Sequence, residues 1–131
     1  GCFVGSLVSV LAVLLLCRMF QTEASLVNSL LPKSVTTAIA VSISESAGGL
    51  PGLTAASVCV TGIEGAMLAP LFAKLFRITD PVAEGVAIGA CSHAVGTSKA
   101  LEIGPLQGAM SSIALCVCGI ITSVLAMFFT V

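Results

Sequence analysis

The chain has no tryptophan and no tyrosine, and only 8% of its 131 residues are charged. An average soluble domain carries roughly 25% charged side chains. Five basic and six acidic residues cannot solvate the surface of a water-soluble globule of this size. A soluble enzyme and a disordered tail are excluded on that ground. The formal net charge is -1 and the basic residues form no cluster, which excludes a nucleic-acid binder tracking phosphates. Without Trp and Tyr there are no aromatic girdles of the kind a membrane β-barrel needs. The interfacial belt common in helical membrane proteins is missing too. No C-x-x-C and no Cys/His pair at zinc spacing occurs, so the six cysteines read as small apolar residues. No Ser/His/acid arrangement, phosphate loop or metal cluster is found. Not an enzyme is therefore the reading, with no catalytic residue, metal ligand or cofactor expected. No signal peptide is readable. A start at Gly1 and an end inside an apolar run suggest a piece of a longer protein.

What the chain does have is apolar: 57% hydrophobic residues and a mean hydropathy of +1.17. The expected fold is an all-α integral membrane protein, one membrane domain over residues 1–131. It has three spanning helices and two discontinuous or re-entrant helical segments. Apolar runs place the spans at residues 1–17, 52–73 and 103–131, the second interrupted by one charge, Glu64, against a need of about 20 apolar residues. Residues 21–29 read as a polar connector. Arg18 and Lys33 on one connector balance Lys74 and Arg77 on another, so the distribution of basic residues gives no orientation.

Two apolar but broken segments lie between the spans. Residues 32–51 open with Pro32 at an expected first helical position and close on Gly48, Gly49 and Pro51. Residues 80–105 open on Asp80-Pro81, a cap and a proline, and close on Gly104-Pro105. Non-helical backbone at membrane depth is tolerated only inside protein or beside water. The segments also suggest an internal repeat. Residues 58–63 (V-C-V-T-G-I) resemble residues 115–120 (L-C-V-C-G-I) at an offset of 57, which lays Thr36 over His93 and Glu45 over Glu102. Interrupted segments at matching positions of two halves are the best sequence pointer to a transporter binding site.

The candidate site residues lie on these segments. Lys33 with the hydroxyls of Ser34, Thr36 and Thr37 at a helix start suits an anion; a lysine snorkelling to the headgroups is the alternative. Ser92, His93, Thr97 and Lys99 sit in C-S-H-A-V-G-T-S-K. Gly85, Gly89, Ser92 and Gly96 form a small-residue ridge suited to close approach. His93 is the only histidine and titrates in the working range, so it is a proton-coupling candidate; a histidine satisfied by backbone is the alternative. Glu64, midway along the second span, and Glu45 are the other coupling candidates. Glu102 reads as a local partner of Lys99.

The stretches L-P-K-S-V-T-T-A-I-A, G-V-A-I-G-A-C-S-H-A-V-G-T-S-K-A-L-E and G-A-M-S-S-I-A resemble the C-terminal part of the LrgB/CidB family. That resemblance implies a multi-pass protein of the bacterial inner membrane, or alternatively of the plastid inner envelope. It implies two activities: transport of small monocarboxylates such as pyruvate, glycolate or glycerate, or antiholin-like control of murein hydrolases and autolysis. The implied partners are membrane lipid, a small carboxylate substrate, a holin-like LrgA/CidA-type protein and a second copy of the chain, with no nucleic acid.

Overall fold

A computed structural model describes residues 1–129, and its elements are all helices: α1 (Cys2–Met19), α2 (Ala24–Leu30), α3 (Thr37–Ser46), α4 (Pro51–Leu75), α5 (Pro81–Ile103) and α6 (Pro105–Phe129). Helices α1, α4 and α6 are long and apolar enough to cross a membrane, as the apolar runs predict. The second broken segment begins as expected: the Asp80 carboxylate caps α5 by accepting from the Val82 N–H at 3.0 Å. The first does not. Pro32 lies in a turn over residues 31–36, and α3 starts only at Thr37. The connector over residues 21–29 also contains α2, with Val27, Asn28 and Ser29 buried. Its hydroxyl and amide are taken up by backbone inside the protein, so polarity there does not mean exposure.

Helix α3 ends at a left-handed Gly48 (φ 75). The Gly49 N–H bonds the Ser44 carbonyl at 2.7 Å and the Gly48 N–H bonds that of Glu45 at 3.2 Å. That turn delivers the chain to Pro51, the first residue of α4.

Helix α5 is two helices. His93 takes φ 36, ψ -134 within it. Before this break the chain runs parallel to α6: Gly85 sits on Gln107, and Gly89 on Ser111. After it the chain runs antiparallel: Thr97 bonds Ser111, and Leu101 covers Gly108. The chain therefore turns back at His93, and residues 81–92 and 94–103 form a re-entrant hairpin. The pair α2–α3 does the same. Ser29 and Val35 meet Thr54 and Val58 of α4 in parallel order, while Ala40 and Ser44 meet Val58 and Thr54 in reverse. Arms of 10–12 residues at 1.5 Å per residue reach about 15–18 Å, half of a ~30 Å hydrocarbon core.

The hairpins enter from opposite sides. Along α4, Gly62 lies by His93 and Val95, Gly65 by Ser92, and Phe72 and Ala73 share a cavity with Glu84 and Ala87. Helix α4 thus runs opposite to the first arm of α5, and opposite to α6. The α2–α3 hairpin hangs from the start of α4 and the α5 hairpin from the start of α6. Shifting α3 by the 57-residue offset lands on residues 94–103, the returning arm of α5. Thr54 and Ser111, also 57 apart, are both fully buried, and each bonds the hydroxyl of its own returning arm. The two units are an inverted repeat.

A polar knot anchors the first hairpin. The Asn28 amide donates to the Ala47 carbonyl at 2.8 Å, and the Leu50 N–H donates to the Ser29 hydroxyl at 2.7 Å. The Thr54 hydroxyl lies 2.9 Å from the Ser29 carbonyl and 2.7 Å from the Ser44 hydroxyl. Replacing Thr54 by Val keeps the shape and orphans these buried groups, at a cost of about 1–3 kcal/mol. Thr54→Val is expected to lower the thermal midpoint in detergent while Thr54→Ser stays near wild type. Equal midpoints for all three proteins would show that the knot carries no stability.

Candidate functional site

The tips of the two hairpins touch. The His93 ring is 2% exposed, and its Nε2 lies 3.0 Å from the Lys33 carbonyl oxygen. A carbonyl only accepts, so Nε2 carries the hydrogen and donates it. Residues 60 apart, on hairpins from opposite sides, meet at mid-depth through this one bond. The His93 backbone is held at positive φ, where a non-glycine side chain costs of order 1–3 kcal/mol. The chain accepts that strain where the ring can reach Lys33.

Helix ends give the tips their electrostatics. Both returning arms, α3 and residues 94–103, start at the tips. Their first-turn N–H groups and positive dipole ends therefore point toward mid-membrane. Thr36 precedes α3 with extended backbone and makes no side-chain cap bond. Those N–H groups can receive an anion. Lys33 adds a full charge. Its side chain is half-buried, within electrostatic range of the His93 ring, the Cys91 thiol and the Glu64 carboxylate. Glu64 itself is exposed midway along α4, among exposed Val60, Ile63 and Met67.

The sequence-read residues separate into groups. Lys33, Ser34, Thr36 and Thr37 are on the first tip, with Ser34 buried and bonded to Ser9 of α1. Ser92 and His93 form the second tip. Thr97, one turn on, donates to the His93 carbonyl at 2.8 Å and shares a hydrogen bond with Ser111 at 2.9 Å, bracing the break. Lys99 is not with them. It pairs with Glu102 at 2.6 Å, both exposed, on the returning arm toward the membrane surface. Glu45 is exposed in the last turn of α3, away from the tips. Among the described residues no group of His, Cys, Asp and Glu could hold a metal ion.

Three contributors escaped the sequence reading. A Cβ on Gly62 would meet the His93 ring at 3.4 Å, and one on Gly65 would overlap the Ser92 side chain, so α4 seats the second tip through two glycines. Their spacing of three on an apolar helix is the signal that could have found them. Ser9 had no such signal, being one serine in an apolar run.

The LrgB-like family matches over residues 1–131. The chain belongs to that family. It is 40% identical over 126 residues to the antiholin-like protein LrgB of Bacillus cereus and to that of Bacillus anthracis, covering 96% of this chain and 55% of each relative. YxaC of Bacillus subtilis is 40% identical over 123 residues, 94% of this chain and 54% of the relative. The chain thus spans about half the length of these curated relatives. No solved structure matches it. Three apolar helices of spanning length and relatives drawn from bacteria make this LrgB-like chain part of a multi-pass bacterial membrane protein.

Proposed function

We propose that this LrgB-like chain carries the substrate site of a membrane transporter for small monocarboxylates of the pyruvate, glycolate or glycerate kind. The observation that carries the reading is the His93–Lys33 bond. It joins two re-entrant tips at mid-depth, where two helix N-termini and one lysine offer positive charge to a carboxylate. Lys33 binds the carboxylate, with the hydroxyls of Thr36 and Thr37 and the first-turn N–H groups of α3 completing its shell, while Ser34 is held on Ser9 of α1 outside it. Ser92 and His93 close the opposite side. Thr97 and Ser111 hold the second tip, and Lys99 stays outside this shell in its ion pair. The chain acts without covalent chemistry. Because the hairpins are inverted copies, each gates one side of the membrane.

A second reading follows from the names of the relatives, antiholin-like LrgB. In it the chain regulates murein hydrolase export and autolysis by binding a holin-like LrgA/CidA-type partner. The two readings part on one experiment. The intact protein in proteoliposomes, with and without that partner, is given labelled pyruvate, glycolate and glycerate. Saturable uptake supports transport; no uptake of any of the three in either condition supports the regulator.

The uptake assay also tests His93. His93→Gln keeps a donor for the Lys33 carbonyl but does not titrate near neutrality. It is expected to insert and to transport with a flat profile between about pH 5.5 and 8, where wild type varies. Matching profiles would make His93 a hydrogen-bonding tip residue and shift coupling to Glu64.

A further inference from the structure

Thr122 of α6 is 1% exposed, and its hydroxyl has no hydrogen-bond partner among the described residues. Other helical hydroxyls here turn back to the carbonyl four residues earlier, as Thr61, Ser112 and Ser123 do at 2.8–2.9 Å. The Thr122 hydroxyl makes no such bond. Its surroundings follow from the residues one turn either side. Cys118 lies against Cys2 of α1. Gly119 lies against Ile39 at the start of α3, and Ala126 packs on Val10 and Leu31. Thr122 is therefore bracketed by α1 and the first hairpin tip. The repeat agrees: 57 residues earlier stands Gly65, which faces the other tip at Ser92.

This side of the tip is rich in uncharged oxygen. Ser34 is buried and bonded to Ser9. The carbonyls of Ser34 and Val35, in the unwound turn, accept no backbone N–H among the described residues. The carbonyl end of α2 points here as well. Lys33 lies within electrostatic range of Glu64 and Cys91.

We propose that Thr122, the Ser9–Ser34 hydroxyl pair and the unwound Ser34 and Val35 carbonyls form a site for a monovalent alkali cation, sodium. An orphaned buried hydroxyl on the helix that brackets a turn with free carbonyls offers a hard cation neutral oxygen ligands. The absence of a carboxylate among these ligands disfavours a divalent ion, whose second charge would go uncompensated. Sodium here and a carboxylate at Lys33 would share one tip. The inference therefore deepens the transport reading, on which its coupling role rests, by adding a sodium ion to the proton that His93 is read to couple.

The test is binding of radioactive sodium to the intact protein in detergent, with no organic substrate present. Saturable binding is expected, competed more weakly by potassium than by unlabelled sodium. Thr122→Val, nearly isosteric, is expected to raise the apparent Kd at least tenfold, and Thr122→Ser to stay within about threefold of wild type. Ser9→Ala, on a different helix, should weaken binding as well, so a folding defect in one variant does not decide the outcome. No saturable sodium binding by wild type, or equal binding by Thr122→Val, overturns the site and leaves Thr122 holding a structural water. Sodium binding in a protein that transports none of the three acids would keep the site and sink the transport reading. Uptake without sodium binding would do the reverse.

Discussion

Lys33→Gln is expected to abolish monocarboxylate uptake while the protein still inserts and assembles. The side chain lies at the tip of the first hairpin and is half-buried, so a substrate carboxylate there is poorly screened by water. Removing one partner of a largely desolvated charge pair costs about 2–5 kcal/mol, a fall of roughly 30- to 5,000-fold in apparent affinity. The structural bond at this position belongs to the Lys33 carbonyl, which glutamine retains, so the His93 contact between the tips survives the substitution. Lys33→Arg is expected to keep partial activity, because a guanidinium also binds carboxylate but needs more room. The readout is concentration-dependent uptake into proteoliposomes, with membrane insertion checked separately. Normal uptake by Lys33→Gln would mean that Lys33 only snorkels, and the carboxylate would have to be held by the helix ends alone.

Gly89→Val is expected to have the largest effect on assembly. A Cβ at Gly89 would overlap the Ser111 carbonyl oxygen and lie 2.8 Å from its Cα. These are backbone atoms of a packed helix and cannot swing aside. The first arm of α5 would have to lift off α6, pulling Ser111 from Thr97 and loosening the His93 break. Overpacking of this kind costs about 1–3 kcal/mol and more where backbone blocks relaxation. Gly89→Ala should lower the thermal midpoint measurably, and Gly89→Val should leave little folded protein in detergent. Gly52, in the first turn of α4, has nothing within 4 Å of its added Cβ. Gly52→Ala is therefore the matched control, expected to be neutral or slightly stabilising. Equal midpoints for Gly89→Val and wild type would show that α5 and α6 do not rely on this close approach.

Much of this was open to reading along the chain. The three spans emerge within a few residues because a bilayer demands length and apolarity, both local properties. The Asp80-Pro81 start and the Gly48, Pro51 and Gly104-Pro105 boundaries follow from caps and from residues that cannot continue a helix. The local pairing of Lys99 with Glu102 follows from a three-residue spacing on a helix. The offset of 57 marks the repeat before any coordinate does.

Other features have no local signature. The start of α3 at Thr37 rather than near Pro32 reflects the packing of Val35 and Ala40 on Val58, which holds the turn open against proline's preference. The connector becomes α2 because Asn28 and Ser29 find partners on a loop some twenty residues away. Proximity among Lys33, Cys91, His93 and Glu64 needs three elements brought together. The sequence by itself determined that this is a helical membrane protein with two interrupted segments, since hydropathy and helix breakers act residue by residue. Only the tertiary structure decided that both segments turn back at mid-depth and meet. Which way a chain leaves a break depends on what the returning arm can pack against: Thr54 and Val58 of α4 for one hairpin, Ser111 and Gly108 of α6 for the other. Those partners lie up to 18 residues from the groups they receive, as Val58 does from Ala40, beyond the reach of any local pattern.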